Sequence, residues 1–322
     1  MNLNSLVIGG LPFGSKLNRI ETYDFLNFAF NLGIRNLDTG SLYGNYNSEK
    51  FISDYQTKYN NFFNIHTKVG LKKVERTGGS FGVEIDDLSP EKILSAGYKV
   101  SNIFKNKKIH RLSLHSFCKS TPVHKQVNAL EVLIKENVIE SYGICNFEPD
   151  ELKYWLDICQ MKKLTFPSSL DVHFNIFEQR ALKSIFPLLE KYSISAIPYR
   201  VLSRGLLANR YKDVINIPKN SRGFSSWRVK RYVTEEYINA VKYLDQYALK
   251  NNLDLLTLNF MWLFNFDCVK KICIGTASEK QLEEITSRIK SLNKINSDII
   301  NNIDYNFLPQ SIFKDPDTFF EK

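Results

Sequence analysis

Residues 109–150 read IHRLSLHSFCKSTPVHKQVNALEVLIKENVIESYGICNFEPD, with two short apolar runs on either side of a longer amphipathic segment. Short apolar runs of this kind are typical of strands that are buried on both faces. We therefore predict strands at 109–114 and 139–145 and a helix at 121–136. Because strands that alternate with helices favour a parallel sheet, this stretch predicts an α/β fold.

The same alternation extends along the whole chain. The predicted strands lie at 6–8, 34–37, 62–65 with Val69 beyond, 109–114, 139–145, 170–174, 194–199 and 271–274. The predicted helices lie at 18–31, from 48, at 89–104, at 121–136, from 148, at 179–192, at 235–250, at 253–265 and from 279. Eight strands are the number that closes a (β/α)8 TIM barrel, which we predict here. An open doubly wound sheet is the alternative, but its typical G-x-G-x-x-G pattern is absent after the first strand.

No linker divides the sequence, so we predict a single domain over residues 1–322. Two stretches that are rich in glycine or charge, near 72–88 and 211–233, are predicted to be long loops inside that domain. In barrels of this kind the active site lies at the carboxyl ends of the strands, and the loops there form its rim.

The chain is basic, with 43 Lys and Arg against 34 Asp and Glu and a formal net charge of +9. The excess is spread over separate doublets such as Lys72-Lys73 and Lys270-Lys271, whereas nucleic-acid-binding proteins usually gather it on one face. We therefore expect no nucleic-acid partner; an anionic small molecule or cofactor suits the same charge. The most apolar stretch, 253–266, is broken by polar residues and is shorter than the roughly 20 residues of a membrane-spanning helix, so no membrane segment is expected.

The five cysteines are odd in number and widely spaced, and no C-x-x-C pair occurs. This pattern favours neither a disulfide framework nor a zinc site, so we predict no metal. The first residues also lack the pattern of a signal peptide. Reduced cysteines in a cytoplasmic protein are the expectation.

Four polar side chains follow three consecutive predicted strands. Asp38 comes at the end of the second strand, Tyr43 five residues later, Lys68 at the end of the third strand and His115 at the end of the fourth. Each of them alone is compatible with ordinary packing or solvation. Because the carboxyl ends of parallel strands meet at one rim, the four together predict a catalytic site with an acid, a phenol, an ammonium and an imidazole.

Several blocks around these residues resemble the signature segments of the aldo-keto reductase family, in the family's order. They are GIRNLDTGSLYG at 33–44 with Ser48-Glu49, HTKVG at 66–70, LSLH at 112–115, YGICNF at 142–147, the segment 199–211, and IGTAS at 274–278 with Gln281-Leu282. The matches span about residues 5–290. GGLPFG at 9–14 and TKVG at 67–70 are most similar to the sugar (aldose) dehydrogenase-like branch. The resemblance implies a barrel that transfers hydride between NADP or NAD and a small carbonyl or alcohol, with a sugar or sugar-like aldehyde or ketone as substrate.

The resemblance also implies a role for each rim residue. Tyr43 is the general acid that protonates the substrate oxygen, and it accepts the proton of the alcohol in the reverse direction. The Lys68 ammonium favours the phenolate and lowers the pKa of Tyr43 below its usual value of about 10. Asp38 keeps Lys68 charged and oriented, and His115 donates a hydrogen bond to the carbonyl oxygen.

Ten positions are cofactor-binding by the same resemblance. They are Asn146, Asp171, Tyr199, Leu202, Ser203, Arg204, Gly275, Thr276, Ser278 and Gln281. Asn146 is expected to hold the carboxamide, Tyr199 to stack on the nicotinamide, and residues 202–204 to contact the pyrophosphate.

The chain departs from the family's pattern at three of the positions near the cofactor. Cys145 stands in place of a serine, Asp171 in place of a glutamine, and Ile285 in place of an asparagine. The last block also lacks the usual basic partner of a 2′-phosphate near Ser278, although Lys280 or the loop 219–231 could supply one. The choice between NADP and NAD therefore stays open.

Other function classes remain possible from the sequence. A nicotinamide-binding barrel could regulate a partner without significant turnover, and a barrel enzyme of another class could also carry a rim lysine. The basic and aromatic loop 219–231 could grip single-stranded nucleic acid, although a loop over the rim that meets phosphate is favoured. The sequence indicates neither the substrate itself nor the oligomeric state.

Overall fold

The computed structural model describes residues 2–75, 81–219, 221–292 and 296–309. Eight parallel strands of this part of the chain form one sheet. Two further strands form a separate antiparallel hairpin between the third and fourth of them. In chain order the strands are β1 (Leu6–Gly9), β2 (Asn36–Asp38), β3 (Asn64–Val69), the hairpin strands β4 (Leu71–Glu75) and β5 (Phe81–Ile85), β6 (Ile109–Leu114), β7 (Ile139–Cys145), β8 (Ser169–His173), β9 (Ser195–Tyr199) and β10 (Ile272–Ile274).

The eight-stranded sheet curls into a nearly closed barrel. Its strand order is β10-β1-β2-β3-β6-β7-β8-β9, so β1 lies between β2 and β10. The two ends of this order meet where Ala196 of β9 forms a bridge with Val269, three residues before β10. There the Ala196 N–H donates to the Cys268 carbonyl at 2.8 Å. The predicted (β/α)8 barrel is confirmed, and the open doubly wound sheet was the wrong alternative.

Helices connect the barrel strands. In chain order they are α1 (Arg19–Asn31), α2 (Ser48–Tyr59), α3 (Pro90–Ile103), α4 (Val123–Lys135), α5 (Pro149–Lys162), α6 (Ala181–Ser184), α7 (Phe186–Lys191), α8 (Arg222–Ser225), α9 (Trp227–Lys230), α10 (Glu235–Lys250), α11 (Leu255–Phe264), α12 (Glu279–Ser291) and α13 (Ser297–Asn301). The local chemistry explains where they begin. Before α1, for example, the Asn18 side chain accepts the N–H groups of Ile20 and Glu21, and the Glu21 carboxylate accepts the N–H of Asn18 at 2.8 Å. This reciprocal cap satisfies donors that a helix start leaves open.

The helix predicted at 179–192 is interrupted in the structure. It divides into α6 and α7 at Ile185, and Pro187 lies in the first turn of α7. In a continuous helix the N–H of position 187 would donate to the carbonyl of position 183, but proline has no N–H. The apolar spacing indicated the helix correctly and did not reveal the break.

Both predicted rim loops contain regular structure. The stretch 72–88 includes most of the β4–β5 hairpin, in which Leu71 lies opposite Ile85; residues 76–80 lie outside the described residues. The opposite charges of Lys72 and Glu84 face each other across this hairpin, with Nζ and Oε2 3.7 Å apart. The stretch 211–233 includes the single-turn helices α8 and α9. Because both stretches are rich in glycine or charged residues, the sequence predicted loops there and not these short elements.

The barrel interior is charged where β3, β6 and β8 face one another. Lys68, Arg111 and Asp171 come from these three strands and are each at most 5% exposed, and Asp171 contacts both of the other two. Gly143 of β7 leaves room for this group, since a Cβ there would lie 3.0 Å from Cδ of Arg111 and 2.6 Å from Oγ of Ser113. Buried charges need partners, so the interior of this barrel is arranged around ion pairs as well as apolar contacts.

The apolar layer outside the barrel includes α11, all ten residues of which are buried. It is the most apolar of the helices predicted from the sequence, yet it is too short to cross a bilayer. Among the described residues, no helix combines the length and the apolar character that a membrane span requires.

Candidate active site

The four rim residues predicted from the sequence lie at the carboxyl ends of three neighbouring strands. Asp38 is the last residue of β2, Lys68 is the penultimate residue of β3, and His115 directly follows β6. The His115 N–H donates to the Val69 carbonyl at 2.9 Å, which fixes the end of β6 beside the end of β3. The sheet therefore places all three side chains on one rim.

A short turn after β2 brings Tyr43 to the same place. The Tyr43 N–H donates to the Gly40 carbonyl at 2.9 Å, and the Ser41 N–H donates to the Lys68 carbonyl at 3.2 Å. A side chain at position 40 would have its Cβ 3.3 Å from the Tyr43 ring and 3.5 Å from Cβ of Lys68. Glycine at this position lets the tyrosine ring lie against β3.

The side chains of the four residues form one cluster. The Lys68 ammonium donates to the Asp38 carboxylate and lies 5.5 Å from the centre of the Tyr43 ring. The rings of Tyr43 and His115 lie edge to face, with centres 6.0 Å apart. The structure thus brings together the acid, the phenol, the ammonium and the imidazole that the sequence predicted on one rim.

The charges in this cluster are strongly coupled. Burial alone would lower the pKa of Lys68, but the neighbouring Asp38, Tyr43 and Asp171 outweigh it and hold the pKa well above its ordinary value. Burial raises the pKa of Asp38, and the Lys68 charge opposes that effect. Lys68 therefore stays positively charged at neutral pH.

The Tyr43 hydroxyl keeps its proton at neutral pH. Burial raises the pKa of Tyr43 above 10, and Lys68 opposes this without reversing it. Lys68 lowers the pKa of Tyr43, as expected, but the loss of hydration outweighs this one cation, so the pKa of Tyr43 lies above its ordinary value. Burial also lowers the pKa of His115 to about 3, with Lys68 adding to the effect, so this imidazole is neutral. The pair can offer a phenol proton and an imidazole N–H to an oxygen, both from neutral groups.

Asp171, a predicted cofactor contact, lies inside the barrel as an ion-pair partner. Its two carboxylate oxygens accept from one guanidinium nitrogen of Arg111 at 2.9 and 3.2 Å. Its Oδ2 lies 3.6 Å from Nζ of Lys68 and accepts from the Cys145 thiol at 3.4 Å. A contact from Asp171 to a cofactor remains a prediction from the resemblance, whereas these contacts within the chain are direct.

Sequence reasoning missed two buried polar residues of the barrel interior. Arg111 lies opposite His66 in the register of β6 and β3, and both are buried. A signal for them exists, because side chains along a strand alternate between its two faces. Arg111 shares its face of β6 with position 113, and His66 shares its face of β3 with Lys68. Counting back by two from the predicted rim would have placed both inside the barrel.

Asn146 and Tyr199 are connected by hydrogen bonds to the backbone of His115. Nδ2 of Asn146 donates to the His115 carbonyl at 3.1 Å, and the Tyr199 hydroxyl donates to Oδ1 of Asn146 at 2.6 Å. The Tyr199 ring also stacks on His173, with ring centres 5.6 Å apart. The predicted carboxamide holder and the predicted stacking residue are thus adjacent, on the same rim as His115.

The remaining predicted cofactor positions fall in two segments after β9 and β10. Leu202, Ser203 and Arg204 lie at the start of a 3₁₀ turn, where the Arg204 guanidinium is 4.3 Å from the Tyr232 ring centre. At the other segment, Ser278 accepts the Gln281 N–H and begins α12, and the Thr276 hydroxyl donates to Oε1 of Gln281 at 2.9 Å.

A Cβ at Gly275 would meet no atom within 4 Å, so the backbone there borders open space. The segments 202–204 and 275–281 follow β9 and β10, the two strands where the barrel closes. The second segment leads into the N-terminus of α12.

The thiols near the site are neutral and unbridged. Burial raises the pKa of both Cys145 and Cys273 well above 9. Within the described ranges, no three His, Cys, Asp or Glu side chains form a cluster suited to a metal ion. Tyr43, His115 and Lys68 themselves offer proton donation and charge stabilisation.

Comparison with known proteins agrees with this arrangement. The sequence model of the Aldo/keto reductase family matches residues 5–305. The chain is 25% identical to the "Uncharacterized oxidoreductase YqkF" of Bacillus subtilis, over 88% of this chain and 86% of that protein. It is 23% identical to the L-glyceraldehyde 3-phosphate reductase of Escherichia coli, over 92% and 86% respectively. Its fold is similar to that of the glycerol dehydrogenase AKR11B4 from Gluconobacter oxydans, with a TM-score of 0.73, 20% identity and coverage of 93% and 94%. The chain belongs to the aldo/keto reductase family of oxidoreductases.

Proposed function

We propose that this protein is an NAD(P)-dependent oxidoreductase that interconverts a small carbonyl compound and its alcohol, with Tyr43 as general acid and base. The observation that carries the proposal is the cluster at the ends of β2, β3 and β6. There Lys68 binds Asp38 and lies 5.5 Å from the Tyr43 ring centre, and His115 packs edge to face on that ring.

Each residue of the cluster has a task that its environment supports. The phenol of Tyr43 keeps its proton at neutral pH, so it can protonate the oxygen of a carbonyl that is being reduced. The neutral imidazole of His115 can donate a hydrogen bond to the same oxygen. Lys68 stabilises the phenolate that remains after proton transfer, and Asp38 holds Lys68 in place.

The rim offers groups that fit a nicotinamide dinucleotide. The aromatic ring of Tyr199 suits a flat heterocycle, and Asn146 carries an amide beside it. Arg204 and the N-terminus of the 13-residue helix α12 suit phosphate groups, because a cation and a helix N-terminus both favour anions. A bound reduced nicotinamide supplies the hydride in this chemistry. We propose Leu202, Ser203, Gly275, Thr276, Ser278 and Gln281 as further contacts, and Asp171 only through the resemblance.

The residues of α12 support a weak preference between the two dinucleotides. Ile285 is buried at 4% exposure, and Ser278 acts as the helix cap. Neither supplies a cation for a 2′-phosphate, whereas Lys280 in the first turn of α12 is exposed and could. We therefore propose that the protein uses both NADP and NAD.

A sugar or sugar-like aldehyde or ketone is the proposed substrate class. The relative from Escherichia coli is named for the reduction of L-glyceraldehyde 3-phosphate, a small hydroxylated aldehyde that carries a phosphate. We further propose that residues 1–322 form a single domain that works in the cytoplasm, where its unbridged cysteines would stay reduced.

The test is a panel of short aldehydes, ketones and sugars, each assayed with NADH and with NADPH by the loss of nicotinamide absorbance. Hydroxylated aldehydes with and without a phosphate group belong in the panel. Turnover that disappears in Tyr43→Phe supports the proposal. Binding of dinucleotide with no turnover of any carbonyl would instead favour a regulatory barrel, and no binding of either dinucleotide would favour another class of barrel enzyme.

A further inference from the structure

Lys68 faces two carboxylates inside the barrel. Asp38 accepts its hydrogen bond, and Oδ2 of Asp171 lies 3.6 Å from its Nζ. The second carboxylate is itself bound by a cation, because Arg111 donates to both of its oxygens. The buried group therefore contains two carboxylates, Asp38 and Asp171, and two cations, Lys68 and Arg111.

Arg111 is held rigidly for this contact. Its side chain is 4% exposed, Nη2 binds Asp171 and Nη1 donates to the Ser169 hydroxyl, while Nε has no partner among the described residues. The glycine at position 143 provides the space beside it, since a Cβ there would lie 3.0 Å from Cδ of Arg111. A side chain with several fixed donors in a tailored space has little freedom to leave its carboxylate.

We propose that Arg111 and Asp171 are a positioning pair that balances the charge around Lys68 and so controls how readily Tyr43 exchanges its proton. This inference rests on the proposed function, because it assigns the pair an effect on the proposed general acid. Neither residue needs to touch the substrate; both act through Lys68.

The sign of the effect follows from the charges. With Asp38, Asp171, Lys68 and Arg111 all ionised, the buried group is neutral overall. Removing the charge of Arg111 alone leaves an excess negative charge in the buried group around Lys68, which disfavours the Tyr43 phenolate. Removing the charge of Asp171 alone leaves an excess positive charge and favours the phenolate.

Three further titratable side chains of the described residues lie around Tyr43. They are the thiols of Cys145 and Cys273 and the imidazole of His115. Burial raises the pKa of both thiols well above 9 and lowers the pKa of the imidazole to about 3. Asp171 also raises the pKa of the Cys145 thiol that it contacts, so the titration of Tyr43 itself has to be followed.

The experiment compares Arg111→Gln, Asp171→Asn and the double variant in the full-length protein. Oxidation of the alcohol that turns over best requires the Tyr43 phenolate, so the pH at which kcat rises reports its formation. Arg111→Gln should move this rise to higher pH and Asp171→Asn to lower pH, each by about one pH unit, as expected for one charge in a buried site. The double variant should return close to the parent. If one of the single variants does not fold, the direction of the pH shift in the other still tests the proposal.

A second readout does not depend on turnover. Tyrosine labelled with ¹³C at Cζ reports ionisation of each ring by NMR, and Tyr43→Phe assigns the signal of Tyr43. Its titration should move in the same two directions. Arg19→Gln and Asp54→Asn are the matched controls, since this Arg–Asp pair has its atoms 3.0 Å apart but lies on the exterior. Neither control should shift the profile.

The outcomes separate the two proposals. Shifts in the same direction, or no shift, would overturn the positioning pair while Tyr43→Phe still abolishes turnover. A Tyr43→Phe variant with full turnover would overturn the proposed function itself.

Discussion

The Tyr199 hydroxyl donates a 2.6 Å hydrogen bond to Oδ1 of Asn146. The amide of Asn146 in turn donates to the backbone carbonyl of His115, so a single asparagine connects the proposed stacking ring with the end of β6. Asn146 adopts a left-handed backbone with φ of 58°, a conformation that asparagine tolerates better than most residues. The orientation of this amide is thus set by two partners, one at the end of β6 and one at the end of β9.

Tyr199→Phe tests whether this hydrogen bond prepares the cofactor site. The ring remains and only the hydroxyl is lost, so we expect dinucleotide affinity to fall by up to about tenfold, the equivalent of roughly 1.4 kcal/mol. Fluorescence titration with NADH and NADPH measures the change. Tyr192→Phe is the matched control, because its hydroxyl donates to Gln160 at 2.7 Å on the exterior. Equal affinities of the parent and Tyr199→Phe would show that dinucleotide binding does not need the hydrogen bond from Tyr199 to Asn146.

The grouping of Asp38, Tyr43, Lys68 and His115 on one rim could be predicted from the sequence, whereas the pairing of Arg111 with Asp171 could not. Tyr43 and His115 follow short apolar runs, and the βα alternation alone places such positions on one rim. Arg111 and Asp171 are 60 residues apart in the chain, so nothing local indicates their ion pair. An arginine within an apolar strand suggests a side chain that is exposed to solvent. The face that Arg111 shares with position 113 shows instead that it lies inside the barrel. The break at Pro187 was visible in the sequence, but the apolar spacing continues across it.

Cofactor selectivity gives the second prediction. Because Ser278 and Ile285 leave the 2′-phosphate without a fixed cation in α12, we expect affinities for NADPH and NADH to differ by less than about tenfold, or 1.4 kcal/mol. Calorimetric titration of both dinucleotides measures the ratio, and Lys280→Ala shows what that lysine adds. A preference in the hundreds that survives Lys280→Ala would point to another basic residue.

The third prediction concerns the pH dependence of stability. His66 is buried, and neither of its ring nitrogens has a hydrogen-bond partner within the described residues. Burial lowers its pKa well below 6.5, and the charges of Arg111 and Lys271 add to the effect. The unfolded chain takes up a proton near pH 6.5 and the folded chain does not, so the free energy of unfolding falls as the pH drops below about 6.5. His66 should contribute up to about 1.4 kcal/mol per pH unit to this slope.

His66→Leu isolates that contribution. Denaturant unfolding of both proteins between pH 7 and pH 4.5 should show a shallower loss of stability in the variant, since the leucine takes up no proton. The remaining slope belongs to the other titrating groups, including His115. Parallel curves for the two proteins would contradict the assignment.

Gly143→Ala is the fourth prediction, and it tests the packing around Arg111. The new Cβ would lie 2.6 Å from Oγ of Ser113 and 3.2 Å from Oγ of Ser169, so the side chains must shift. We expect a loss of about 1–3 kcal/mol in the free energy of unfolding, typical of overpacked interiors. Ser113→Ala in the same protein should recover part of the loss. Gly275→Ala is the control for stability, since its Cβ meets no atom within 4 Å; an equal loss there would contradict the steric explanation.

The fifth prediction concerns the proton donor itself. Tyr43→Phe removes one hydroxyl and little volume, so folding and dinucleotide binding should persist while turnover falls. Positioned acid and base groups contribute about 10²–10⁴ in rate, and the loss of kcat should lie in or above that range. Lys68→Met should cost nearly as much, because Tyr43 loses the cation that stabilises its phenolate.

The double variant decides whether the two residues act together. If Lys68 serves Tyr43, the combined loss should be far smaller than the product of the single losses, since groups that work as one unit are not additive. Tyr98→Phe is a suitable control, because its hydroxyl donates to Glu136 at 2.6 Å on the exterior and should leave kcat unchanged. Steady-state rates of the four variants on one accepted carbonyl provide the comparison. A Tyr43→Phe protein whose kcat stays within a few-fold of the parent would remove Tyr43 as the proton donor, and multiplicative losses would show that Lys68 contributes by a separate route.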